Sequence, residues 1–141
     1  MMGLDNHQDP RLGQEQLYEG KGQVIAIADE GFDNGDADLV HPAFTGRIRR
    51  LHLSGNTQSA ADTSGHGTHM CGSAAGNGQT STQQHIRGTA PQATLVVQCT
   101  GSGYASIPGD CKKLFEPPYT DDEVQVHCNA WGQHDDSLVK A

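Results

Sequence analysis

The residues of this sequence that are best placed to do chemistry are one carboxylate and one histidine. His66 stands in the run G-H-G-T-H at 65–69, and Asp29 follows an apolar stretch earlier in the chain. A carboxylate that accepts from one ring nitrogen fixes the tautomer of a histidine and stabilises its imidazolium, which leaves the other nitrogen to act as a general base. The pair therefore predicts two members of a charge-relay triad, in which Asp29 orients His66.

The elements that must position this pair follow from apolar runs and helix signals. Near-continuous apolar runs predict interior strands at 23–28, 93–99 and 123–128. The polar segment 62–64 supplies N-cap residues for a helix from His66 to about residue 77. Because a helix N-terminus disfavours an imidazolium, this placement favours the neutral, basic form of His66.

Three weaker segments complete the order of elements. Residues 47–53 alternate charged and apolar side chains, as a half-exposed strand does, and 41–44 predict a short turn that packs its phenylalanine. Residues 107–115 predict a helix that Pro117 and Pro118 must end, because proline lacks an amide hydrogen. Strands that alternate with helices predict an α/β fold of three layers around a central parallel sheet.

Four segments of different origin should meet at one edge of this sheet. Ligands of open α/β sheets bind outside the carboxyl ends of the strands. Asp29, residues 101–103 and residues 129–132 each follow a strand, and His66 begins a helix on the same side. A single aspartate after a strand is more often a turn or cap residue, but the convergence of four segments favours a functional site.

The amino-acid sequences of four segments resemble those of one protein family. Residues 24–31 (V-I-A-I-A-D-E-G), 62–69 (D-T-S-G-H-G-T-H), 88–95 (G-T-A-P-Q-A-T-L) and 127–132 (H-C-N-A-W-G) resemble the subtilisin-like serine peptidases of the S8 subtilase family. These segments are most similar to those of the alkaline, oxidation-resistant branch of that family. The resemblance extends from about residue 20 to residue 132.

The resemblance implies an activity and a set of site residues. The family hydrolyses peptide bonds through an acyl-serine intermediate, with Asp29 and His66 here matching its catalytic acid and base. An extended peptide or protein substrate would lie between two segments, with Tyr104 at a distal pocket and Trp131 beside the primary pocket. The implied substrate-binding residues are Gly101, Ser102, Gly103, Tyr104, Ala130, Trp131 and Gly132. The alternative is that these glycines only turn the chain.

The family's nucleophile segment (G-T-S-M-A) and oxyanion segment (A-G-N-x-G) do not occur in the sequence. We therefore expect residues 1–19 to be a polar lead-in and 20–141 to be the N-terminal portion of a truncated peptidase domain. Such a portion would be inactive alone, and its partner would be the missing C-terminal half of the domain. The alternative function is a non-catalytic peptide-binding module that retains the peptidase groove.

Departures from the family pattern, and other ligand chemistries, concern a few positions. Glu30 adds a second carboxylate beside Asp29, Cys71 replaces an alanine, and Ala130 replaces a small hydroxyl residue.

No cofactor is expected. A metal site formed by His66, His69 and Cys71 is an alternative that the spacing disfavours, since only the two histidines share a helix face. The acidic loop 33–38 suggests a solvated loop rather than a calcium site. The other histidines follow no pattern: His7, His41, His52, His85, His127 and His134.

Composition excludes several partners. The 141 residues carry a formal net charge of −8, which disfavours nucleic acid and anionic membrane surfaces. No apolar run approaches the ~20 residues that span a bilayer. The polar start lacks the apolar core of a signal peptide, so the compartment stays open: cytoplasmic, or secreted if a leader is missing. The four cysteines favour free thiols, and a Cys99–Cys111 bridge is the alternative in a secreted protein.

Overall fold

The computed structural model describes residues 18–55, 57–79, 86–101 and 109–132. Four parallel strands form one sheet, in the spatial order Ile48–Leu53 (β2), Thr94–Cys99 (β3), Val24–Asp29 (β1) and Val126–Asn129 (β4). The predicted α/β fold with a parallel sheet is confirmed. No helix in these ranges combines the length and the apolar character needed to cross a membrane. In chain order the elements are β1 (Val24–Asp29), a 3₁₀ turn (Pro42–Phe44), β2 (Ile48–Leu53), α1 (His66–Ala75), β3 (Thr94–Cys99), α2 (Cys111–Asp122) and β4 (Val126–Asn129).

The alternation of side chains along β1 and β3 creates the three layers. On one face Ile27, Leu95 and Val97 are fully buried in a core cluster that includes Cys71 of α1. On the opposite face Ala26, Val96 and Val124 form a second cluster. Gln98 points to that second face, where its side chain reaches a carbonyl of α2. The two helices therefore cover opposite faces of the sheet, as the strand pattern predicts.

Helix α2 differs from its prediction. We expected a helix at 107–115 that Pro117 and Pro118 would end, but α2 runs from Cys111 to Asp122 with both prolines inside it. The helix begins where the Asp110 side chain accepts from the Lys112 amide at 3.0 Å, an ordinary N-cap. The expectation that the prolines must terminate the helix was wrong.

A buried side chain explains why one of these prolines is tolerated. Pro118 has no amide hydrogen, so the carbonyl of Leu114 loses the donor that an α-helix would supply from four residues onward. The Gln98 side chain, which is 1% exposed, donates from Nε2 to that carbonyl at 2.6 Å. A donor from β3 thus replaces the missing helical donor, and no buried carbonyl is left unpaired there.

The C-terminal end of α2 is joined to the edge strand β2 by a buried carboxylate. The register of β2 against β3 shifts between Ile48 and Arg50, so Arg49 is an extra residue in a bulge. Arg49 donates to the Asp122 carbonyl at 2.6 Å, and His52 Nε2 lies 2.9 Å from Asp122 Oδ2. Arg50 Nε forms an ion pair with Asp122 Oδ1 at 3.2 Å without the alignment of a hydrogen bond. The Asp122 side chain is 1% exposed.

Strand β4 begins later than predicted. We expected it at 123–128, but it spans Val126–Asn129. The reason is the extension of α2 to Asp122. Its C-cap residue Glu123 has a left-handed conformation (φ 59°), and the Val124 amide donates back to the Pro118 carbonyl at 3.0 Å. These residues close the helix and cannot also pair as a strand. The predicted strands at the other three positions are confirmed within one residue at each end.

Candidate active site

Asp29 ends β1 with its side chain buried and its backbone fixed. The side chain is 2% exposed, and its Oδ1 accepts from the Glu30 amide at 2.8 Å. The Asp29 carbonyl accepts from both the amide and the hydroxyl of Thr100, at 2.8 and 3.0 Å. Because Thr100 directly follows β3, these bonds join the ends of the two central strands and fix the backbone from which the carboxylate extends.

The start of α1 is organised by the polar segment before His66. Gly65 is the N-cap residue, with φ at 83°, a conformation that favours glycine. Asp62 accepts from the amides of Gly65 and Thr68 at 2.8 Å each and from the Thr68 hydroxyl at 2.6 Å. The Ser64 hydroxyl accepts from the His66 amide at 3.1 Å. The predicted capping segment thus supplies acceptors for the orphan amides of the first turn.

Asp29 and His66 are in direct contact. His66 Nδ1 lies 2.8 Å from Asp29 Oδ1 and 3.1 Å from Oδ2. The histidine side chain is 52% exposed whereas the carboxylate is buried. Since a carboxylate only accepts, Nδ1 carries the hydrogen and Nε2 is the nitrogen that can take up a proton. The structure brings the two predicted residues together, and their catalytic roles stay predictions.

A glycine at position 67 allows this close approach. A Cβ on Gly67 would collide with the carbonyl oxygen of Gly31, and it would lie 3.1 Å from both Cβ and Oδ1 of Asp29. The first turn of α1 therefore packs directly against the loop after β1. Any larger residue would push the helix away from the carboxylate.

The electrostatic setting of His66 is anionic. The hydrogen bond to Asp29, followed by the charge of Asp29, raises the pKa of His66 above its usual 6.5, and Glu30 and Asp62 act in the same direction. We expected the helix N-terminus to favour the neutral ring, but the carboxylates outweigh it. Burial opposes ionisation of Asp62, yet hydrogen bonds from Thr68, Gly65 and Ser64 lower the pKa of that carboxyl overall. A carboxylate beside the ring thus favours the imidazolium that general-base catalysis forms.

The predicted substrate-binding residues follow the same strand ends. Gly101 comes two residues after the partner of Asp29 in β3, and its amide donates to the Glu30 carbonyl at 2.9 Å. Asn129 pairs with Ala28, so the next three residues leave β4 at this edge. Of these, Ala130 is half-buried, Trp131 is 36% exposed and Gly132 is exposed. Three further predicted residues, Ser102, Gly103 and Tyr104, lie outside the described residues.

Metal binding and thiol chemistry gain no support from the geometry. Within the described ranges no group of three His, Cys, Asp or Glu side chains could hold a metal ion. All four cysteines are free thiols, so the predicted alternative of a Cys99–Cys111 bridge is not present. Burial raises the pKa of Cys71, and it raises the pKa of Cys99 to about 12. These two thiols therefore stay protonated at neutral pH and are poor nucleophiles.

The sequence reasoning missed one polar contact near the site. His127 followed no pattern, yet its Nε2 lies 2.6 Å from Gln98 Oε1. A signal was present, because Gln98 interrupts the apolar run of β3 at a position that the run itself predicts to be buried. A buried amide needs partners for both its oxygen and its nitrogen.

Comparisons with known proteins identify the family of the chain. A model of the subtilase family (peptidase S8) matches residues 20–140. The chain is 31% identical over 125 residues to the serine protease/ABC transporter B family protein tagB of Dictyostelium discoideum, covering 80% of this chain and 6% of that protein. It is 37% identical over 82 residues to the serine protease AprX of Bacillus subtilis strain 168, covering 57% of this chain and 17% of that protein.

A third relative is the major intracellular serine protease of Bacillus subtilis strain 168, which is 32% identical over 79 residues, covering 56% of this chain and 24% of that protein. The chain thus spans less than a quarter of the length of each of these relatives. The chain belongs to the subtilase family, and the predicted resemblance is confirmed.

Proposed function

We propose that Asp29 and His66 are the acid and the general base of a subtilisin-type serine endopeptidase. The observation that carries this proposal is the 2.8 Å contact between His66 Nδ1 and the buried Asp29 Oδ1, made by a half-exposed ring. In a triad such a contact selects the tautomer with a free Nε2 and stabilises the imidazolium. Family membership supports the reaction class, which is peptide-bond hydrolysis.

In the proposed reaction, His66 Nε2 removes the proton of a serine hydroxyl as the oxygen attacks the scissile carbonyl, and later returns that proton to the leaving amine. Asp29 stays ionised throughout and offsets the positive charge that forms on the ring. The anionic neighbours Glu30 and Asp62 add to this offset, because both raise the pKa of His66. The step needs no metal or redox cofactor.

We further propose that the serine and the oxyanion donor come from the C-terminal part of a subtilase domain, which would pack beside β4. Within the described ranges β4 pairs only with β1 and is an edge of the sheet. Its Val126 side chain is 55% exposed, which is unfavourable on an edge that stays open. An extended peptide substrate would then lie between the segments that begin at Gly101 and at Ala130, paired through its main chain.

The experiment combines an activity probe with a binding measurement on the 141-residue chain. A fluorophosphonate probe should label no serine of the chain alone, and a generic peptide should not be cleaved. The same peptide should shift the backbone NMR signals of Gly101 and of residues 130–132. Addition of the serine-bearing C-terminal segment of a subtilase should restore labelling of that serine, and Asp29→Asn should then lower turnover by about 10⁴.

Each arm of this experiment has an outcome that counts against the proposal. Stoichiometric labelling of a serine in the chain alone would show that the nucleophile is misassigned. Peptide-induced shifts elsewhere would show that the groove is misassigned. Peptide binding at the groove with no restored labelling would favour the second candidate, a non-catalytic peptide-binding module.

A further inference from the structure

A polar bridge crosses the middle of the sheet on the face covered by α2. Gln98, in β3, is 1% exposed and donates from Nε2 to the Leu114 carbonyl of α2 at 2.6 Å. Its Oε1 lies 2.6 Å from Nε2 of His127, in β4. The Phe115 ring of α2 meets the His127 ring edge-on, with centroids 4.6 Å apart. One buried amide thus joins β3, α2 and β4.

The bridge is possible because the strand beneath it carries alanines. β1 lies between β3 and β4, so the two bridging side chains start about 9–10 Å apart, which is two strand spacings. Ala28 pairs with Gln98, and Ala26 pairs with His127. Larger side chains at these positions would fill the space above β1 and separate the amide from the imidazole.

The hydrogen bonds define the tautomer of His127. Gln98 Nε2 donates to a carbonyl, so Oε1 is the acceptor and His127 Nε2 must carry the hydrogen. On a neutral ring Nδ1 is then an acceptor, and it lies 3.0 Å from Nδ2 of Asn129, which donates. Burial lowers the pKa of His127 below its usual 6.5. Among the described residues, Gln98 contacts the ring from β3 and Phe115 from α2, Ala26 of β1 is its strand partner, and these three carry no charge.

We propose that His127 is a positioning residue that holds the end of β4, and with it the Ala130–Gly132 wall of the groove, in place. The wall follows Asn129 directly, and β4 is a strand of four residues that pairs only with β1 among the described residues. The bridge gives this strand a second attachment, to β3 and α2. The assignment of the wall rests on the proposed function, whereas the attachment of β4 does not.

Trp131 allows a direct test, because it is the single tryptophan of the sequence and lies in the wall. Fluorescence of the full chain should be compared for the unchanged sequence, His127→Phe, His127→Gln and Asn129→Ala. Phenylalanine keeps the aromatic packing but loses both hydrogen bonds, so acrylamide quenching of Trp131 should rise toward that of the urea-unfolded chain. Glutamine keeps a donor and an acceptor and should restore most of the protection. Asn129→Ala should give an intermediate result.

A pH titration separates positioning from bulk stability. Protonation of His127 places a hydrogen on Nδ1 opposite the Asn129 amino group, so Asn129 must turn its amide over or move away. Trp131 fluorescence should therefore change at a pH below 6.5 in the unchanged chain, and this transition should be absent in His127→Gln. ¹⁵N NMR of the ring should show the hydrogen on Nε2 at neutral pH. Equal quenching in all folded variants, or a hydrogen on Nδ1, would overturn the proposal.

A peptide arm distinguishes this proposal from the proposed function. A peptide that binds the unchanged chain should bind His127→Phe about two- to tenfold more weakly, a change equivalent to the loss of one such hydrogen bond. If no peptide binds the unchanged chain, the groove assignment fails while the Trp131 measurements still decide the role of His127. If His127→Phe does not fold, Asn129→Ala and the pH titration of the unchanged chain decide it.

Discussion

Replacement of Asp122 by asparagine should destabilise the chain although the change conserves side-chain volume. The Asp122 carboxylate is 1% exposed, and its two oxygens lie 2.9 Å from His52 Nε2 and 3.2 Å from Arg50 Nε. An amide has one acceptor oxygen, so its nitrogen would face one of these two donors. The matched control is Asp121→Asn on the same helix, because Asp121 is exposed and its oxygen accepts only from Thr120 among the described residues.

The expected magnitude follows from these contacts. A hydrogen bond to a charged group contributes about 1.5–3 kcal/mol to stability, and Asp122→Asn removes roughly one such interaction and places the amide nitrogen against one of the two donors. The Arg50 side chain is 50% exposed and regains water when it is released, which reduces the cost. We therefore expect a loss of about 2–3 kcal/mol for Asp122→Asn and a change within about 0.5 kcal/mol for Asp121→Asn.

Urea denaturation followed by circular dichroism measures both variants. Asp122→Asn should lower the midpoint at an unchanged slope, since the native fold is kept and only its stability changes. The difference from Asp121→Asn should persist at high salt, because buried ion pairs are screened much less than exposed ones. Equal midpoints for the two variants would refute the reasoning that α2 is attached to β2 through Asp122.

Three further predictions follow from the site and the core. Gly67→Ala should cost about 1–3 kcal/mol in urea unfolding, since the new methyl group collides with the backbone after β1. A thiol reagent should label the exposed Cys111 quickly and Cys71 only on unfolding, because Cys71 is buried and burial raises its pKa; equal rates would contradict the core packing. Asp29 raises the pKa of His66, so the contribution of the Asp29–His66 pair to the free energy of unfolding should be full below about pH 6.5 and be lost as the pH rises through the folded pKa of His66. Asp29→Asn should abolish this pH dependence in urea unfolding.

Much of the fold is readable from the sequence because local pattern and tertiary placement agree. The apolar runs at 23–28 and 93–99 become the two central strands, which are covered on both faces. Asp62 and the following residues predict the start of α1 within the correct turn. Asp29 ends β1 and His66 begins α1 at the same edge of the sheet, and this placement brings the Asp–His pair into contact.

The parts that the sequence did not predict depend on contacts between distant residues. The prolines of α2 predict a helix end from the local sequence. The helix continues because the Gln98 side chain of β3 supplies the donor that Pro118 lacks. The Asp122 cluster depends on a bulge at Arg49, which places neighbouring arginines toward the same helix end. Neither a register shift nor a donor 16 residues away follows from local propensity.

The central claim is that Asp29 and His66 act as one acid–base unit. The most direct test is an NMR titration of the His66 ring in the unchanged chain, in Asp29→Asn and in Glu30→Gln. We predict a His66 pKa above 6.5 in the unchanged chain, a large decrease in Asp29→Asn and a smaller one in Glu30→Gln, following the order in which the two carboxylates act on the ring. A His66 pKa that is the same with and without the Asp29 carboxylate would contradict the account.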